Sequence, residues 1–401
     1  MKNIWVFYQD GGTPAQGWGD RHYFMSKHYD KSRYKATIFS ANQCHMYTEP
    51  VNFSGNFWVT SYKGIDYCWV KVNAYSKANS LKRIISWFLF TFKLFFLPKQ
   101  KLGIPDIIVV SSMPMFPILP ALYFKYRYGV KIIFEVRDIW PLTILQMGGY
   151  KKGHPFVLLM RAIEKIAYRY SDYLVSVLDK AYLHFEKSTN RKFRFQWISN
   201  GIDEEVLMKE SDCIELMPNK KFIVGYAGKM NISNAVEFIV DTAIQLKDNQ
   251  NIHFVFIGDG DEKDALIERA QGLSNITFIA KVKKHELHSL VKRFNVAIIS
   301  FRKLDVYKFG VSTNKLFDYL MAGVPILMAS SYEHEAYTQS GAVLRVEAED
   351  VEAMADAITS LANSPAEDVK KIGLLGRDFA SNNFTFKQLA KRYEQIFDSL
   401  D

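Results

Sequence analysis

The stretch KFGVSTNKLFDYLMAGVPIL, from Lys308 to Leu327, joins a small polar loop, a short amphipathic pattern and the start of an apolar run. Its first residues suit a loop that caps a helix, and a helix N-terminus binds phosphate because its first N–H groups have no partner within the helix. The apolar spacing predicts a helix over residues 315–321, Gly323 as its C-terminal cap and a buried strand from Pro325. A loop, a helix and a buried strand in this order form an α/β unit with a candidate anion site.

Apolar strand patterns and amphipathic helix patterns alternate along most of the chain. This alternation is typical of parallel sheets covered by helices on both faces, which bind ligands at the carboxyl ends of their strands. The pattern restarts after an irregular polar stretch, residues 203–221. We therefore predict fold class α/β, with two Rossmann-like, doubly wound parallel-sheet domains and an interdomain cleft. The predicted strands are Ile4–Tyr8, Ala36–Ser40, Ile107–Ser111, Lys131–Val136, Tyr173–Val177, Phe222–Ala227, His253–Ile257, Ile276–Ile279, Val296–Ser300 and Pro325–Met328, and predicted helices include Pro155–Tyr170, Ala235–Leu246, Glu262–Gln271 and Lys284–Arg293.

The composition narrows the class of protein. A length of 401 residues favours two domains, and a hydrophobic fraction of 48% is ordinary for a globular protein. The formal net charge of +9 favours a nucleotide, a nucleic acid or an anionic membrane as partner. No recognised nucleic-acid-binding motif is present, so we predict no nucleic-acid partner. Cys44, Cys68 and Cys213 have no metal-ligand spacing, which fits a reducing cytoplasm, and the N-terminus is typical of a first strand rather than a signal peptide.

The segment SLKRIISWFLFTFKLFFLPKQK, residues 80–101, is unusual for a plain globular enzyme. Its apolar centre, residues 84–97, is interrupted by Lys93 and is too short for a membrane span. Trp87 and several phenylalanines fill it, and basic residues flank it. This composition suits a helix that lies in the interface of an anionic membrane, and the alternative is a buried domain helix with basic ends.

Three turns in the carboxyl half follow predicted strands and bear on nucleotide binding. In GYAGKMNISNAVEFIVDTA, Gly228 allows close backbone approach and Lys229 can meet a diphosphate as a point charge, although a structural turn with a surface lysine is the alternative. FIGDGDEKDAL places Gly258 and Gly260 at the next strand end, without the G-x-G-x-x-G spacing of a dinucleotide fingerprint.

The third turn, KVKKHELHSL, lets Val282 and Lys283 present backbone groups to a nucleobase. His285 and His288 lie on either side of Glu286 but lack the H-E-x-x-H spacing. We therefore predict no metal site in this segment.

FEVRDIWP places Arg137 and Asp138 at the carboxyl end of a strand in the amino half. A carboxylate beside an arginine stays ionised near neutral pH, so Asp138 is a candidate to accept a hydrogen bond from a ligand. Glu135 is predicted on the other face of the strand. The alternative is a structural Arg–Asp pair.

QDGGTPAQGWGDRHY joins the first predicted strand to the first helix. Its glycines, Gly12, Gly17 and Gly19 among them, permit tight turns or backbone approach to a sugar diphosphate. Arg21, near the start of the helix, is a candidate ligand for an acceptor phosphate. The alternative is a flexible surface loop.

The order of these motifs resembles that of GT-B glycosyltransferases of family 4, over nearly the full chain and most clearly over residues 222–327. GYAGK, IGDG and VKKHEL match the family's glycine-basic turn, its xGxG strand end and its V-x-x-x-E-L segment, which contains Glu286. DYLMAGVP matches the second half of the family's E-x7-E signature, with Asp318 in place of the second Glu and Gly310 in place of the first. The form YGVSxNKLFDYMxAGxP resembles a bacterial subgroup that acts on O-antigen and capsular polysaccharide precursors, including N-acetylfucosamine-type transferases.

The resemblance implies how the two domains divide the work. Residues 1–200 would bind the acceptor, residues 201–380 would bind the nucleotide sugar, and a helix over residues 381–401 would return to the first domain. Asn234 stands where many members carry a second phosphate-binding lysine, so Lys229 would act with another cation such as Lys283 or Lys315. The candidate site residues are Asp138, Arg137 and Lys229 for catalysis, and Gly12, Gly17, Gly19, Arg21, Gly228, Gly258, Gly260, Val282, Lys283, Glu286, Ser312, Thr313, Asn314, Lys315 and Asp318 for substrate and nucleotide binding, with Asp318 on the ribose.

The activity implied is a retaining transfer of a sugar from a nucleoside diphosphate sugar, with a UDP-linked amino or deoxy sugar favoured. No D-x-D motif is present, so we expect metal-independent transfer with no cofactor. The acceptor would be an undecaprenyl diphosphate-linked saccharide at the inner face of the cytoplasmic membrane, where the protein would associate peripherally. Two alternatives stay open: a nucleotide-sugar epimerase of the same fold, and a non-catalytic subunit that binds nucleotide sugars.

Overall fold

A computed structural model describes residues 1–19, 21–75, 80–207, 213–219 and 222–400. The chain divides into two compact units, one of Met1–Ser199 with Phe386–Asp401 and one of Asn200–Thr385. The polar stretch predicted as the linker, residues 203–221, lies partly outside the described residues.

The first unit is built on an eight-stranded sheet. Its strand order is β3-β4-β2-β1-β5-β6-β7-β8, and every pair is parallel except β3 with β4. The strands are β1 Lys2–Phe7, β2 Tyr34–Ala41, β3 Phe57–Tyr62, β4 Ile65–Val70, β5 Ile107–Ser111, β6 Lys131–Val136, β7 Tyr173–Ser176 and β8 Phe195–Trp197. The helices are α1 Arg21–His28, α2 Leu81–Leu94, α3 Lys99–Leu102, α4 Ile118–Tyr128, α5 Leu142–Met147, α6 Pro155–Tyr170 and α7 Ala181–Thr189.

The second unit is built on a six-stranded, all-parallel sheet of order β11-β10-β9-β12-β13-β14. Its strands are β9 Phe222–Ala227, β10 Ile252–Ile257, β11 Ile276–Ile279, β12 Val296–Ser300, β13 Ile326–Ala329 and β14 Val343–Val346. Its helices are α8 Glu204–Leu207, α9 Val236–Gln245, α10 Lys263–Arg269, α11 Lys284–Val291, α12 Asn314–Ala322, α13 Glu335–Thr338, α14 Val351–Asn363 and α15 Ala366–Asn383.

The last helix, α16 (Phe386–Asp398), belongs to the first unit. Its apolar face joins the core of that unit, where Phe386 stacks on Phe24 with ring centroids 5.1 Å apart and Tyr29 meets Phe397 at 5.4 Å. The final segment of the chain therefore completes a core that the first residues began.

These two sheets confirm the prediction of a doubly wound α/β fold. The predicted strands with continuous apolar runs are present, some with ends shifted by one or two residues, and the helix predicted over residues 315–321 is α12. The hairpin of β3 and β4 was not predicted. It turns at Lys63 and Gly64, both with positive φ (48° and 79°), as the tight two-residue turns of hairpins require.

The strand order of each sheet reverses at one point, and ligands of such folds bind beside that point at the carboxyl ends of the strands. In the first unit the reversal lies between β1 and β5, and in the second it lies between β9 and β12. The loops after β1 and after β9 are therefore the expected locations of ligand-binding sites.

Candidate active site

Two glycine turns meet at the carboxyl ends of β9 and β10 in the second unit. The N–H of Gly228 donates to the carbonyl of Ile257 over 2.9 Å, and a side chain on Gly258 would begin 2.1 Å from the carbonyl oxygen of Gly228. Gly258 also has φ of +145°, which favours glycine. Gly260 has a similar role, because its own Cβ would lie 2.0 Å from the carbonyl oxygen of Met230. These glycines bring the two loops together, and ligand contact by them stays a prediction.

Lys315, in the first turn of α12, lies against the Gly228 turn. Its Nζ donates to Asn234 Oδ1 over 2.7 Å and to the Tyr226 hydroxyl over 3.0 Å, and it lies 4.5 Å from the centre of the Tyr226 ring. Across the described part of the chain, no carboxylate lies within 4 Å of this ammonium group. Burial lowers the pKa of Lys315 to about 7. Lys315 is half-buried, and a partly desolvated cation whose partners are all neutral is a strong candidate for an anion ligand.

Helix α12 is held at this position by Tyr319. The Tyr319 hydroxyl accepts from the N–H of Ala227 over 2.7 Å and donates to its carbonyl over 3.1 Å, at the last residue of β9. Asn234 and the Tyr226 hydroxyl both donate to the carbonyl of Lys229. The N-terminus of α12, the Gly228 turn and the Lys315 ammonium group are thereby fixed beside one another.

The loop before α12 is shaped by Asn200. The Asn200 N–H donates to Ser312 Oγ over 2.8 Å and its side-chain amide donates to the Ser312 carbonyl over 2.6 Å. Thr313 is the N-cap residue but makes no side-chain cap hydrogen bond. The Thr313 side chain therefore does not accept from the first N–H groups of α12, and these groups can donate to a bound anion.

The other predicted nucleotide ligands of the carboxyl half belong to the same unit. Lys229 is exposed, Asn314 is exposed and Asp318 is half-buried. Glu286 caps α11 by accepting the Lys283 N–H over 2.8 Å, next to the half-buried Val282. Their contacts with a nucleotide remain predictions.

In the first unit, the glycine loop after β1 folds back on itself. Gly12 is buried, and its carbonyl accepts from the Tyr67 hydroxyl. A side chain on Gly19, which has φ of +76°, would begin 1.7 Å from the carbonyl oxygen of Asp10. Gly17 is exposed and ends a short 3₁₀ helix. The described part of the loop thus makes close internal contacts at Gly12 and Gly19, and ligand contact by its glycines stays a prediction.

Arg21 has a structural role that argues against the predicted phosphate contact. It is only 4% exposed, and its guanidinium donates twice to Glu135 Oε1 and also to the carbonyls of Ile198 and Ser199. With these donors bound to the protein's own acceptors, Arg21 is not available for a ligand. No local sequence pattern indicates that Arg21 pairs with Glu135, because the two residues are 114 positions apart.

Arg137 and Asp138 lie at the carboxyl end of β6, as predicted. The Arg137 guanidinium donates to the Tyr8 hydroxyl and lies 5.1 Å from the centre of the Tyr8 ring. Desolvation raises the pKa of Asp138 above its ordinary value, against the lowering effect of the charges of Arg137 and Arg83. No Arg137–Asp138 ion pair is present in the described ranges, so the structural pair of the alternative is not formed.

The second unit is similar to a known protein family. Residues 221–364 match the family described as "Glycosyl transferases group 1". A curated relative from Pseudomonas aeruginosa, "Probable glycosyltransferase WbjE", is 23% identical over 257 residues, which are 62% of this chain and 62% of the relative. The match thus spans less than two-thirds of that relative's length. The stretch of the second unit that is similar to this family includes Lys315 and the Gly228 turn.

Solved structures share the fold of the whole chain. Sucrose-phosphate synthase from Thermosynechococcus elongatus superposes with a TM-score of 0.76 at 13% identity, over 100% of this chain and 99% of that one. Anabaena Alr3699/HepE, solved with UDP and glucose, has a TM-score of 0.68 at 13% identity over 100% of both chains. A structure described as "Trehalose-6-phosphate from E. coli bound with UDP-2-fluoro glucose" has a TM-score of 0.72 at 12% identity over 98% of both. The GT-B fold is thereby confirmed.

Proposed function

We propose that this protein is a retaining glycosyltransferase that moves a sugar from a nucleoside diphosphate sugar to a lipid-linked saccharide acceptor. The observation that carries the proposal is the half-buried ammonium group of Lys315, whose hydrogen-bond partners among the described residues are all neutral. It lies beside the Gly228 turn, within the stretch that matches the glycosyltransferase group 1 family.

The diphosphate of the donor would lie against Lys315, the Gly228 turn and the N-terminus of α12. Each of these supplies positive charge or N–H donors to the leaving group, whose negative charge grows as the glycosidic bond breaks. Lys229 would add an exposed cation, and Asp318 would bind the ribose. UDP is favoured because relatives of this fold have been solved with UDP and with UDP sugars.

The acceptor would bind the first unit, at the carboxyl end of its sheet. Asp138 and Arg137 follow β6, which is two strands from β1 in the sheet. The Arg137 guanidinium donates to Tyr8, which directly follows β1. Asp138 would accept a hydrogen bond from the attacking hydroxyl, and the charge of Arg137 would favour the ionised carboxylate against the desolvation that raises its pKa. A bacterial surface-polysaccharide intermediate, as an O-antigen or capsular precursor, is the acceptor that the sequence resemblance favours.

An anionic membrane surface would hold the acceptor's lipid, and α2 is the element that fits it. Trp87, Phe90 and Leu94 of this helix are buried, whereas Phe92 and Phe96 are 62% and 64% exposed. An exposed apolar ridge with nearby lysines suits a helix at a lipid interface. The other exposed apolar residues of the ridge are Leu81, Ile85 and Phe88.

No helix in the described ranges is long and apolar enough to cross a bilayer. Lys93 is less available to lipid than its sequence position predicts, because its Nζ donates to Asn56 Oδ1 and to the Lys71 carbonyl, both over 2.8 Å. The cations offered to anionic lipid would therefore be Lys82, Lys99 and Lys101.

The test of donor binding is a thermal shift assay with UDP, GDP, UDP sugars and dTDP sugars. A ligand that binds only the folded protein at 100 times its Kd stabilises it by about 2.7 kcal/mol, so the true nucleotide should raise the melting temperature by several degrees. We expect the shift with UDP compounds, a weaker shift in Lys229→Ala, and an unchanged shift in Lys247→Ala, which removes an exposed lysine just after α9. No shift with any nucleotide would contradict the proposed function.

A second test concerns the membrane surface. Replacing both Phe92 and Phe96 by serine should reduce binding to vesicles of phosphatidylcholine with phosphatidylglycerol by at least about tenfold, because each buried phenylalanine contributes roughly 1.5–3 kcal/mol. The measurement is co-sedimentation with vesicles, with and without the anionic lipid. The matched control replaces the exposed Leu374 and Leu375 of α15 by serine and should bind as the wild type does. Equal loss in both variants would rule out a specific lipid surface on α2.

A further inference from the structure

A buried acid that sequence analysis did not identify lies beside the strand-order reversal of the first unit. Asp10 follows β1 by three residues and is 8% exposed. Its Oδ1 is buried without a hydrogen-bond partner, and no described residue forms an ion pair with its carboxylate. Buried polar atoms are nearly always satisfied, so an unsatisfied carboxylate oxygen at the place where this fold binds ligands indicates a donor supplied by the ligand.

The backbone of Asp10 is fixed before any ligand arrives. Its carbonyl accepts from the N–H of Gly12 over 3.1 Å, and Gly19 passes so close to that carbonyl that no larger residue fits. The neighbouring Gln9 is fully buried, and its amide donates to Ser86 Oγ of α2 over 3.1 Å. Gln9 Oε1, like Asp10 Oδ1, has no donor among the described residues. Gln9 has no exposed surface, so Asp10 is the residue of the two that a ligand can reach.

The charges around Asp10 decide which kind of donor fits. Burial raises the pKa of Asp10 to about 6, against the lowering effect of the positive charges of Arg83 and Arg137. The carboxylate is therefore mostly ionised at neutral pH. Two guanidinium groups nearby disfavour a further cation, and the described residues contain no cluster of metal-ligating side chains. Neutral donors such as the hydroxyl groups of a sugar fit this environment.

We propose that Asp10 binds a hydroxyl group of the acceptor saccharide in a subsite of the first unit. The proposal rests on the proposed glycosyltransferase function and names a residue that recognises its acceptor. Asp138 follows β6, two strands from β1 in the same sheet and at the same edge. Asp10 would accept a hydrogen bond from one hydroxyl group of the acceptor sugar, while Asp138 accepts a hydrogen bond from the attacking hydroxyl group.

The test compares Asp10→Asn with the wild type in the full chain. The probes are methyl glycosides of glucose, galactose, mannose, N-acetylglucosamine and N-acetylgalactosamine, with binding followed by ligand-detected NMR. We expect at least one glycoside to bind the wild type, and Asp10→Asn to weaken it roughly 10- to 100-fold, as the loss of a hydrogen bond to a charged group does. Asp66→Asn, near the amino end of β4 and therefore at the opposite edge of the sheet, is paired with Lys35 at the surface and should leave binding unchanged.

Two further readouts separate this role from a structural one and from failure of the donor site. The melting temperature of Asp10→Asn should equal or exceed that of the wild type, since the variant removes a buried charge without a partner. The thermal shift given by UDP should be retained. Equal glycoside binding by Asp10→Asn, no glycoside binding by the wild type, or a melting temperature lowered by several degrees would each overturn the proposal. If UDP gave no thermal shift with the wild type, that result would instead contradict the proposed function.

Discussion

Replacing Lys315 with methionine is expected to lower the rate of donor-sugar transfer or hydrolysis by roughly 10²–10³-fold, the loss typical of removing one preorganised group that stabilises developing charge. Among the described residues, the Lys315 ammonium group has Asn234 and Tyr226 as its hydrogen-bond partners, so its charge is available to the leaving diphosphate. The measurement is kcat with UDP sugar, together with the Kd of UDP by titration calorimetry. Lys247→Met is the matched control and should retain the wild-type rate.

The same substitution is expected to raise the melting temperature of the free protein. The pKa of Lys315 is lowered from 10.5 to about 7 by burial, so the unfolded chain binds the proton more tightly than the folded chain does. The folded state therefore bears a cost that is full below about pH 7 and is relieved as pH rises towards 10.5. Methionine removes that cost at neutral pH. A variant that loses both activity and stability would contradict this assignment.

A bound diphosphate should raise the pKa of Lys315, because an adjacent anion favours the ammonium form. The affinity of the wild type for UDP should then fall by up to about tenfold per pH unit as pH rises above 7. Lys315→Met should show none of this dependence. Equal pH profiles for the two proteins would show that another group carries the effect.

The sequence predicts those parts of the fold that depend on local patterns. Buried parallel strands are continuous apolar runs, so β5, β6, β9, β11 and β12 are predicted with the bounds that they have. The hairpin of β3 and β4 was missed because β3 is partly exposed and mixes polar with apolar residues, and only Lys63-Gly64 marks its turn.

The candidate sites depend on contacts between distant residues, which no local pattern contains. Lys315 was a candidate phosphate ligand from its motif, but its partner Tyr226 lies 89 residues away. Asn234 drew attention only as a position where a lysine was expected, and its amide oxygen turns out to accept from Lys315. Asp10 was missed because a single acid in a glycine loop has no distinctive spacing. The lack of a hydrogen-bond partner for Asp10 Oδ1 among the described residues is visible only in three dimensions.

The second large effect is expected at Glu135, where glutamine should destabilise the first unit by about 3–5 kcal/mol, the usual cost of leaving a buried charge without its partner. Glu135 is fully buried and is bound by Arg21, His22, Ser111 and, from α16, Tyr393. At roughly 2–4 °C per kcal/mol for a unit of this size, the melting transition of the first unit should fall by about 6–20 °C. Differential scanning calorimetry is the measurement.

Although burial alone would raise it, the charges and hydrogen bonds around Glu135, those of Arg21 first, hold its pKa well below the ordinary 4.5. Its contribution is therefore present above pH 4.5 and is lost as pH falls towards the lower pKa of the folded state. Asp66→Asn breaks a surface pair with Lys35 and should cost less than about 1 kcal/mol. Adding Arg21→Met to Glu135→Gln should restore part of the lost stability, because the buried guanidinium is then gone. If the double variant were less stable than Glu135→Gln by the full cost of Arg21→Met alone, the two residues would act independently. The hydrogen-bond network around Glu135 would then not be what couples α1, β6 and α16.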